Sequence, residues 1–190
     1  QDITALKRAE AEARQSEEWF RAAFEQAGGG MGLRGIDPRN PRWLRVNQKL
    51  CDILGYTREE LLQLKSVDIT PPEERDVAID YNEKLRSGEL TTFSREKRYM
   101  RKDGRVIWAN ITLTPVSGPD GRPTHLISVI QDITARVEAE KQFRLSAAVF
   151  ETTQDGIMVT DASNCILLVN PAFTRITGRT PDEVIGKSPS

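Results

Sequence analysis

Cysteine and histidine are scarce in this sequence of 190 residues. The two cysteines, Cys51 and Cys165, lie far apart, and the single histidine is His125. Unpaired, widely spaced cysteines are typical of a reducing compartment, so we expect a cytoplasmic location, even for a parent protein anchored in a membrane. Both thiols are expected to be small buried groups rather than reactive ones. The spacing of these residues predicts no metal site.

An excess of charge of one sign is also absent. The sequence has 27 Lys and Arg residues against 28 Asp and Glu, a net charge of −1. This balance gives no field that would attract nucleic acid, so no nucleic-acid partner is expected. No apolar run approaches the ~20 residues that cross a bilayer, and no signal peptide opens the sequence, so no membrane contact is expected within it.

A catalytic set is missing as well. One histidine leaves no sensible Ser-His-Asp arrangement, and the paired acids Glu73 and Glu74 are interpreted as first-turn helix residues favoured by the helix dipole. Three glycines at 28–30 lack the Lys-Ser/Thr that follows in a phosphate-binding loop, which indicates a turn into a strand. The sequence therefore predicts no enzyme activity in these residues.

A repeated tetrapeptide indicates how the sequence is divided into modules. Gln-Asp-Ile-Thr occurs at residues 1–4 and again at 131–134, and a charged, helix-favouring run follows each copy. Their separation is the size of one domain plus a connector. Four segments are predicted: 1–16, the end of an upstream module and a connector helix; 17–134, a complete module; 135–149, a connector helix; and 150–190, the N-terminal part of a further, truncated module.

The spacing of apolar and turn residues within the complete module predicts two short strands, three helices and then a three-stranded meander, an antiparallel α+β class. Asn47 is expected to cap the first helix, and capping boxes at Thr57 and Thr70 to begin the other two. Residues 150–190 repeat only the first half of this order and should fold poorly alone or lean on a neighbour. The strands are predicted at 31–36, 42–46, 92–101, 105–116 and 123–131, and the buried side of the third helix at Val77, Tyr81 and Leu85.

These motifs resemble the PAS family with its C-terminal PAC half. The resemblance rests on Asn47 through Gly55-Tyr56-Thr57-Arg58-Glu59-Glu60-Leu61, Arg101-Lys102-Asp103-Gly104-Arg105-Val106-Ile107-Trp108, Thr114-Pro115-Val116 and Asp132-Ile133-Thr134. It implies the PAS fold: a five-stranded antiparallel sheet with short helices on one face, flanking linker helices and a small pocket between sheet and helices. Such modules usually neighbour histidine kinases, diguanylate cyclases and cyclic-di-GMP phosphodiesterases, and the end of the partial copy most resembles those beside the last two.

Alignment with the family also implies which side chains face the pocket, although the favoured interpretation is that they are simply core, with Tyr99 bonded internally. Covalent flavin is excluded because residues 61–68 lack the cysteine that such photochemistry needs, whereas noncovalent flavin or a small metabolite stays open. Haem is disfavoured because His125 does not lie on the helix where haem-binding relatives carry theirs. The implied pocket residues are Tyr99, Ala109, Ile111, Leu126, Ser128 and Ile130.

Asp132 and Thr134 lie where the last strand meets the exit helix. Thr134 can cap that helix and Asp132 can pin the linker to the domain. The simpler interpretation is a cap alone. The functional one is a joint that converts small strand shifts into helix motion.

The outer face of the sheet is predicted to be too apolar to face water. A helix that carries three aromatic residues is expected to cover it, either from the same chain or from a partner in a homodimer. The residues assigned to this surface are Trp19, Phe20, Phe24, Trp108, Ile127 and Val129.

These features predict a sensory and dimerisation module that relays ligand or partner state through its C-terminal linker helix to a downstream output domain. The alternative is a structural dimerisation scaffold with a filled core and no ligand. Besides a second copy, the expected partners of the module are the neighbouring PAS and output domains of the same chain. Any cyclase, phosphodiesterase or kinase activity would reside in those output domains. The linkers, Thr4 to Phe24 and Thr134 to Phe150, differ by about one helical turn, so successive modules are predicted to differ in rotation.

Overall fold

The computed structural model describes residues 3–37 and 42–189, and the side chains of 3–5 and 76–80 fall outside it. The prediction for Val77 therefore lies outside the described residues. The chain divides into two compact units, Gln1–Thr134 and Ala135–Ser190. The elements are α1 (Ile3–Glu25), β1 (Gly30–Gly35), β2 (Trp43–Val46), α2 (Gln48–Leu54), α3 (Arg58–Gln63), a 3₁₀ turn (Pro72–Glu74), α4 (Arg75–Ser87), β3 (Phe93–Met100), β4 (Val106–Ser117), β5 (Pro123–Asp132), α5 (Thr134–Thr152), β6 (Met158–Thr160), β7 (Ile166–Val169), α6 (Pro171–Thr177) and α7 (Pro181–Val184).

The first unit is built on one five-stranded antiparallel sheet of order β2-β1-β5-β4-β3. β3, β4 and β5 form the predicted meander. β5 is the central strand of the sheet, and β1 pairs with its other edge, with Gly32 opposite Ser128. The α+β fold with a five-stranded antiparallel sheet is therefore confirmed. Because alternate residues face opposite sides of a strand, this register sets which side chains meet in the interior.

The short helices begin at the predicted caps in two of three cases. The Asn47 side chain accepts a hydrogen bond from the Leu50 amide, and α2 ends at Gly55, whose φ of 77° suits glycine. Thr57 forms a reciprocal capping box with Glu60. Both caps satisfy amide groups that a helix end leaves unpaired.

The capping box predicted at Thr70 is wrong. The chain forms a 3₁₀ turn at Pro72–Glu74 and α4 begins only at Arg75, without a side-chain cap. The Thr70 hydroxyl instead donates to the Ser66 carbonyl at 2.9 Å and accepts from Lys97 at 3.0 Å. Two consecutive prolines after Thr70 fix the backbone and delay the helix.

The core lies between the inner face of the sheet and the helices. Tyr81 and Leu85 of α4 are buried, as predicted, and Tyr81 stacks on Phe93 with ring centroids 4.2 Å apart. Burial of this many apolar side chains is the main favourable term for folding. The fully buried residues of the core include Leu50, Leu54, Leu61, Ile69, Leu85, Leu113, Leu126 and Ile130.

The second unit contains the hairpin β6–β7 and two short helices around a small core. That core comprises Ile166, Val169 and Val184, with Phe173 packed against it. Leu167 and Ile176 leave more than half of their surface exposed. A two-stranded sheet is marginal by itself, so the expected weakness of residues 150–190 stays a prediction.

Of the two cysteines, Cys51 is buried, and burial raises the pKa of its thiol. Cys165 is only partly buried. The prediction of burial thus holds for Cys51 and is wrong for Cys165.

Candidate functional site

All six residues predicted to face a pocket are buried on the inner face of β3, β4 and β5. Three of them, Tyr99, Ile111 and Ser128, line a cavity of about 20 Å³. That volume exceeds the roughly 10–15 Å³ needed to hold one water molecule. The other three belong to the packed core around it: Ala109, Leu126 and Ile130.

The cavity is small because aromatic side chains fill the interior. A Cβ atom placed on Gly32 would lie 2.2 Å from Cζ3 of Trp43, so the indole packs directly on the glycine backbone. Sites for ordinary small molecules measure roughly 300–1,000 Å³. The residues present therefore do not fit a flavin. The ring of His125 bonds the Thr124 hydroxyl at 2.9 Å and belongs to β5, on the side opposite its inward-facing neighbour Leu126.

Two cations line the cavity, Arg34 from β1 and Lys97 from β3, at 3 % and 4 % exposure. The Lys97 ammonium lies 4.5 Å from the centre of the Tyr99 ring. Arg34 Nη2 donates to Asn82 at 2.5 Å. Because burial disfavours the charged form, it lowers the pKa of Arg34 and lowers that of Lys97 to about 8.

Several polar atoms around this cavity lack a hydrogen-bond partner within the described residues. They are Arg34 Nη1, Trp43 Nε1 and Ser128 Oγ. Unpaired buried polar atoms are uncommon in folded proteins and call for an explanation.

The sequence prediction missed Arg34, Trp43 and Lys97. Strand alternation could have found the two cations, because Lys97 lies two residues before the inward-facing Tyr99, and Arg34 two residues after Gly32. Both therefore share the inner face with the core.

Glu73 and Glu74 are the acidic residues in the first turn of the short 3₁₀ helix before α4, in agreement with their interpretation as first-turn helix residues. They lie in the 3₁₀ turn, where Glu74 accepts from Arg98 Nε at 2.8 Å and Glu73 from Arg98 Nη2 at 3.0 Å. Burial acts to raise the pKa of Glu74, but the hydrogen bonds from Arg98 lower it overall. Arg95 lies 3.8 Å from the same carboxylate. Glu74 thus ties the segment before α4 to β3.

The exit joint, which comprises Asp132 and Thr134, lies where β5 meets α5. The two side chains exchange the roles that the sequence predicted for them. Asp132 Oδ1 accepts from the Thr134 amide at 2.9 Å, so Asp132 supports the first turn of α5. The Thr134 hydroxyl accepts from the Trp108 amide at 3.0 Å and lies 3.3 Å from the Trp108 carbonyl. The Ile133 amide also donates to that carbonyl, at 2.9 Å. Thr134 therefore pins the linker to β4.

The end of α1, the start of β1 and the start of α2 meet at Asn47, and we call this junction the entry joint. Asn47 does more than cap α2. Its Nδ2 group donates to the carbonyls of Phe24 and Gly29, at 2.9 and 3.1 Å. Its Oδ1 atom accepts from the amides of Met31 and Leu50, at 2.8 and 2.9 Å. One buried side chain thereby joins the end of α1, the start of β1 and α2.

Asn170 repeats this arrangement in the second unit. Its Nδ2 group donates to the carbonyls of Phe150 and Asp155, and its Oδ1 atom accepts from the amides of Ile157 and Phe173. The sequence repeat of Val-Asn at 46–47 and 169–170 was visible, but its bonds to the preceding helix were not predicted.

The residues assigned to the outer surface differ widely in exposure. Phe24 is buried within the first unit, at 6 % exposure. Phe20 stacks on Phe24 and lies 5.8 Å from the Arg45 guanidinium, so the end of α1 packs beside β2. Trp19 is 71 % exposed, while Trp108 is more than one-third exposed and Ile127 and Val129 are partly buried.

Metal and membrane sites find no support in the described part of the chain. No cluster of three His, Cys, Asp or Glu side chains suited to a metal ion occurs there. None of the described helices combines the length and hydropathy of a membrane span.

Known proteins share this arrangement. A family model described as "PAS domain" matches residues 31–135, and one described as "PAS fold" matches residues 145–190. The probable diguanylate cyclase DgcE of Escherichia coli K12 is 39 % identical over 127 residues, which cover 67 % of this chain and 11 % of DgcE. The sensor histidine kinase TmoS of Ectopseudomonas mendocina is 32 % identical over 126 residues, 66 % of this chain and 13 % of TmoS.

The solved structures agree at the level of the fold. A PAS domain from Colwellia psychrerythraea superposes with a TM-score of 0.56 at 15 % identity, covering 62 % of this chain and 97 % of that one. The chain thus spans only a small fraction of the curated relatives but nearly the whole of an isolated PAS domain. The sheet, the tandem matches and these relatives together identify a sensory signalling module, and the chain belongs to the PAS domain family.

Proposed function

We propose that the first unit senses an occupant of its interior and passes that state through α5 to an output domain elsewhere in a longer protein. The observation that carries this proposal is the exit joint. The first turn of α5 is bonded to Trp108 of β4 through the Thr134 hydroxyl and the Ile133 amide. A shift of the central strands would therefore move the start of the helix.

The path from the interior to this joint is short. Ser128 lines the cavity from β5, and Asp132 ends the same strand and supports the first turn of α5. Ser128 and Asp132 also pair with β4, opposite Leu113 and Ala109. An occupant that changes the position of Ser128 is thus connected to the joint through one strand and its neighbour.

Dimerisation is the second part of the proposal. Within α5 no residue is buried, and three large apolar side chains, Phe143, Leu145 and Val149, are each more than half exposed. Helices of this length owe most of their stability to packing of an apolar face. Leu145 and Val149 lie four residues apart on one side of α5, and pairing of that side with the same helix of a second copy would supply that packing. The free cysteines are in keeping with a cytoplasmic site of action.

The relay can be tested in the intact signalling protein by replacing Thr134 with valine, which keeps the shape and removes the hydroxyl. The expected result is a change of output activity by at least about threefold, with a thermal midpoint within about 3 °C of wild type, since an exposed hydrogen bond contributes little to stability. Thr114→Val, an exposed change of the same kind in β4, is the matched control. Unchanged output in both Thr134→Val and Asp132→Asn would refute the relay.

The filled interior supports a second candidate, a dimerisation scaffold without a ligand. A cavity of about 20 Å³ leaves little room, and most inward side chains pack on one another. A scaffold would keep its output when Ser128 is changed to alanine and lose it when α5 can no longer pair. A sensor would respond to both changes.

A further inference from the structure

The cavity in the first unit is lined by polar hydrogen atoms and positive charge rather than by apolar groups alone. Within the part of the chain that the structure describes, Arg34 Nη1 and Trp43 Nε1 are donors without a partner, and the Ser128 hydroxyl is likewise unpaired. These residues come from β1, β2 and β5, and Lys97 adds an ammonium from β3. Four different strands therefore contribute residues with hydrogen-bond donors to the lining of one small space.

The positive charges around this space are only partly balanced by the described residues. The cavity lining contains no described carboxylate. Glu74 is the acid with the largest electrostatic effect on Lys97. It is engaged by Arg98 at 2.8 Å and is approached by Arg95 at 3.8 Å. Tyr81 and Tyr99 also line the cavity, and burial raises the pKa of both hydroxyls, so neither supplies negative charge at neutral pH.

We propose that this cavity binds one small monovalent anion, of the size of chloride or formate. The anion would accept hydrogen bonds from Arg34, Trp43 and Ser128 and would lie beside the Lys97 ammonium. A buried charge is stable only when it is paired and hydrogen-bonded, and an anion here supplies the missing partner.

A water molecule is the competing occupant, and it fits less well. Water carries no charge and accepts about two hydrogen bonds, so it would supply no counter-charge for Arg34 and Lys97 within the cavity. An anion accepts more donors and offsets part of the positive charge. The volume of about 20 Å³ excludes larger carboxylic acids, so the occupant is an ion of very few atoms.

This inference deepens the proposed function. Only the effect of the ion on signalling rests on that function. A single ion would contact β1, β3 and β5 at once, and β5 leads directly into the joint at Asp132 and Thr134. Binding of the ion itself does not depend on any relay. The two claims can therefore fail separately.

The test uses the whole 190-residue chain and sodium chloride or sodium formate as the probe. Chloride is replaced stepwise by gluconate at constant ionic strength, because gluconate is too large for the cavity, and the thermal midpoint of the first unit is recorded. Ligand that binds only the folded state raises the midpoint with its concentration. The wild-type chain is expected to show a saturable rise, and Lys97→Met to lose it.

Lys49→Met is the matched control, since Lys49 is exposed on α2 and its removal changes the net charge equally. It should keep the saturable rise. Ser128→Ala retains both cations and should weaken the apparent affinity by about tenfold, which is the order expected for one hydrogen bond to a charged group. This milder variant decides the matter if Lys97→Met fails to fold.

The result that overturns the inference is a midpoint that does not distinguish chloride or formate from gluconate in the wild-type chain. An equal rise in wild type and in Lys97→Met or Ser128→Ala would do the same, because it would show a general salt effect or binding elsewhere. Saturable binding of chloride or formate, together with unchanged output of the intact protein in Thr134→Val and Asp132→Asn, would uphold the anion site and refute the relay. Absent binding with an output change in Thr134→Val would do the reverse.

Discussion

The buried ammonium of Lys97 should make the stability of the first unit rise with pH. Burial is the main cause that lowers its pKa from the usual 10.5 to about 8. Between these two values the unfolded chain holds a proton that the folded chain has released, so raising the pH favours the folded state. Below about pH 8 the charge is present in both states, and the penalty for burying it applies in full. The described titratable or charged groups that bear on Lys97 are Glu74, Arg95, Arg34, Tyr81 and Tyr99.

The size of this effect follows from the two pKa values. A shift of about 2.5 units corresponds to about 3.4 kcal/mol over the full range, and about 2 kcal/mol of it falls between pH 7 and 9.5. The sign is opposite to that of a lysine held in an ion pair, whose stabilising effect would be lost as the pH rises through its raised pKa.

Urea denaturation at a series of pH values between 7 and 9.5 measures this contribution. Wild type is compared with Lys97→Met in gluconate buffer, which keeps small anions away from the cavity. The free energy of unfolding of wild type should rise relative to the variant by about 2 kcal/mol across the range. The comparison between the two chains removes the titration of all other groups that they share.

A difference between wild type and Lys97→Met that stays constant over this range would refute the reasoning, because it would mean that Lys97 titrates alike in the folded and unfolded chain. Addition of chloride supplies a second check. If a small anion binds beside Lys97, it favours the ammonium form, and the rise with pH should become shallower in the low part of the range.

Three further changes test other contacts. Asn47→Ala removes four hydrogen bonds at a buried site and should lower the free energy of unfolding by about 3 kcal/mol or more, measured in urea; a loss below about 1 kcal/mol would contradict the bonding described. Gly32→Ala drives a Cβ into Trp43 and should lower the free energy of unfolding by about 1–3 kcal/mol, whereas Gly35→Ala, with open space around it, should be nearly neutral in the same urea measurement. Leu145→Ser on α5 should weaken self-association by about tenfold in sedimentation equilibrium, and an unaltered association constant would argue against pairing through this helix.

Much of the first unit could be predicted from local signals. Strand alternation and two turns with Asp-Gly place β3, β4 and β5 and identify the inner positions, such as Ile111 and Ser128, because a strand has a strict period of two. The caps at Asn47 and Thr57 depend on bonds within three residues, so sequence alone indicates them.

The rest depends on contacts between distant residues. Arg34 and Lys97 occupy inward positions, but a charged side chain in a strand is ordinarily interpreted as exposed, and its burial depends on what the facing strands leave open. The Thr70 hydroxyl could not serve as a cap because Ser66 and Lys97 already occupy it. Phe24 is buried because Asn47 holds the end of α1 against the domain, a bond between residues 23 positions apart.

The Asn47 bonds bear on where this domain can be cut for study in isolation. The match to the family begins at residue 31. The Nδ2 group of Asn47, however, donates to the carbonyls of Phe24 and Gly29, which lie upstream of that point. A fragment trimmed to the family boundary would leave a buried amide group without partners. Expression of soluble, well-folded protein should therefore demand a start point at least one helical turn before Phe24.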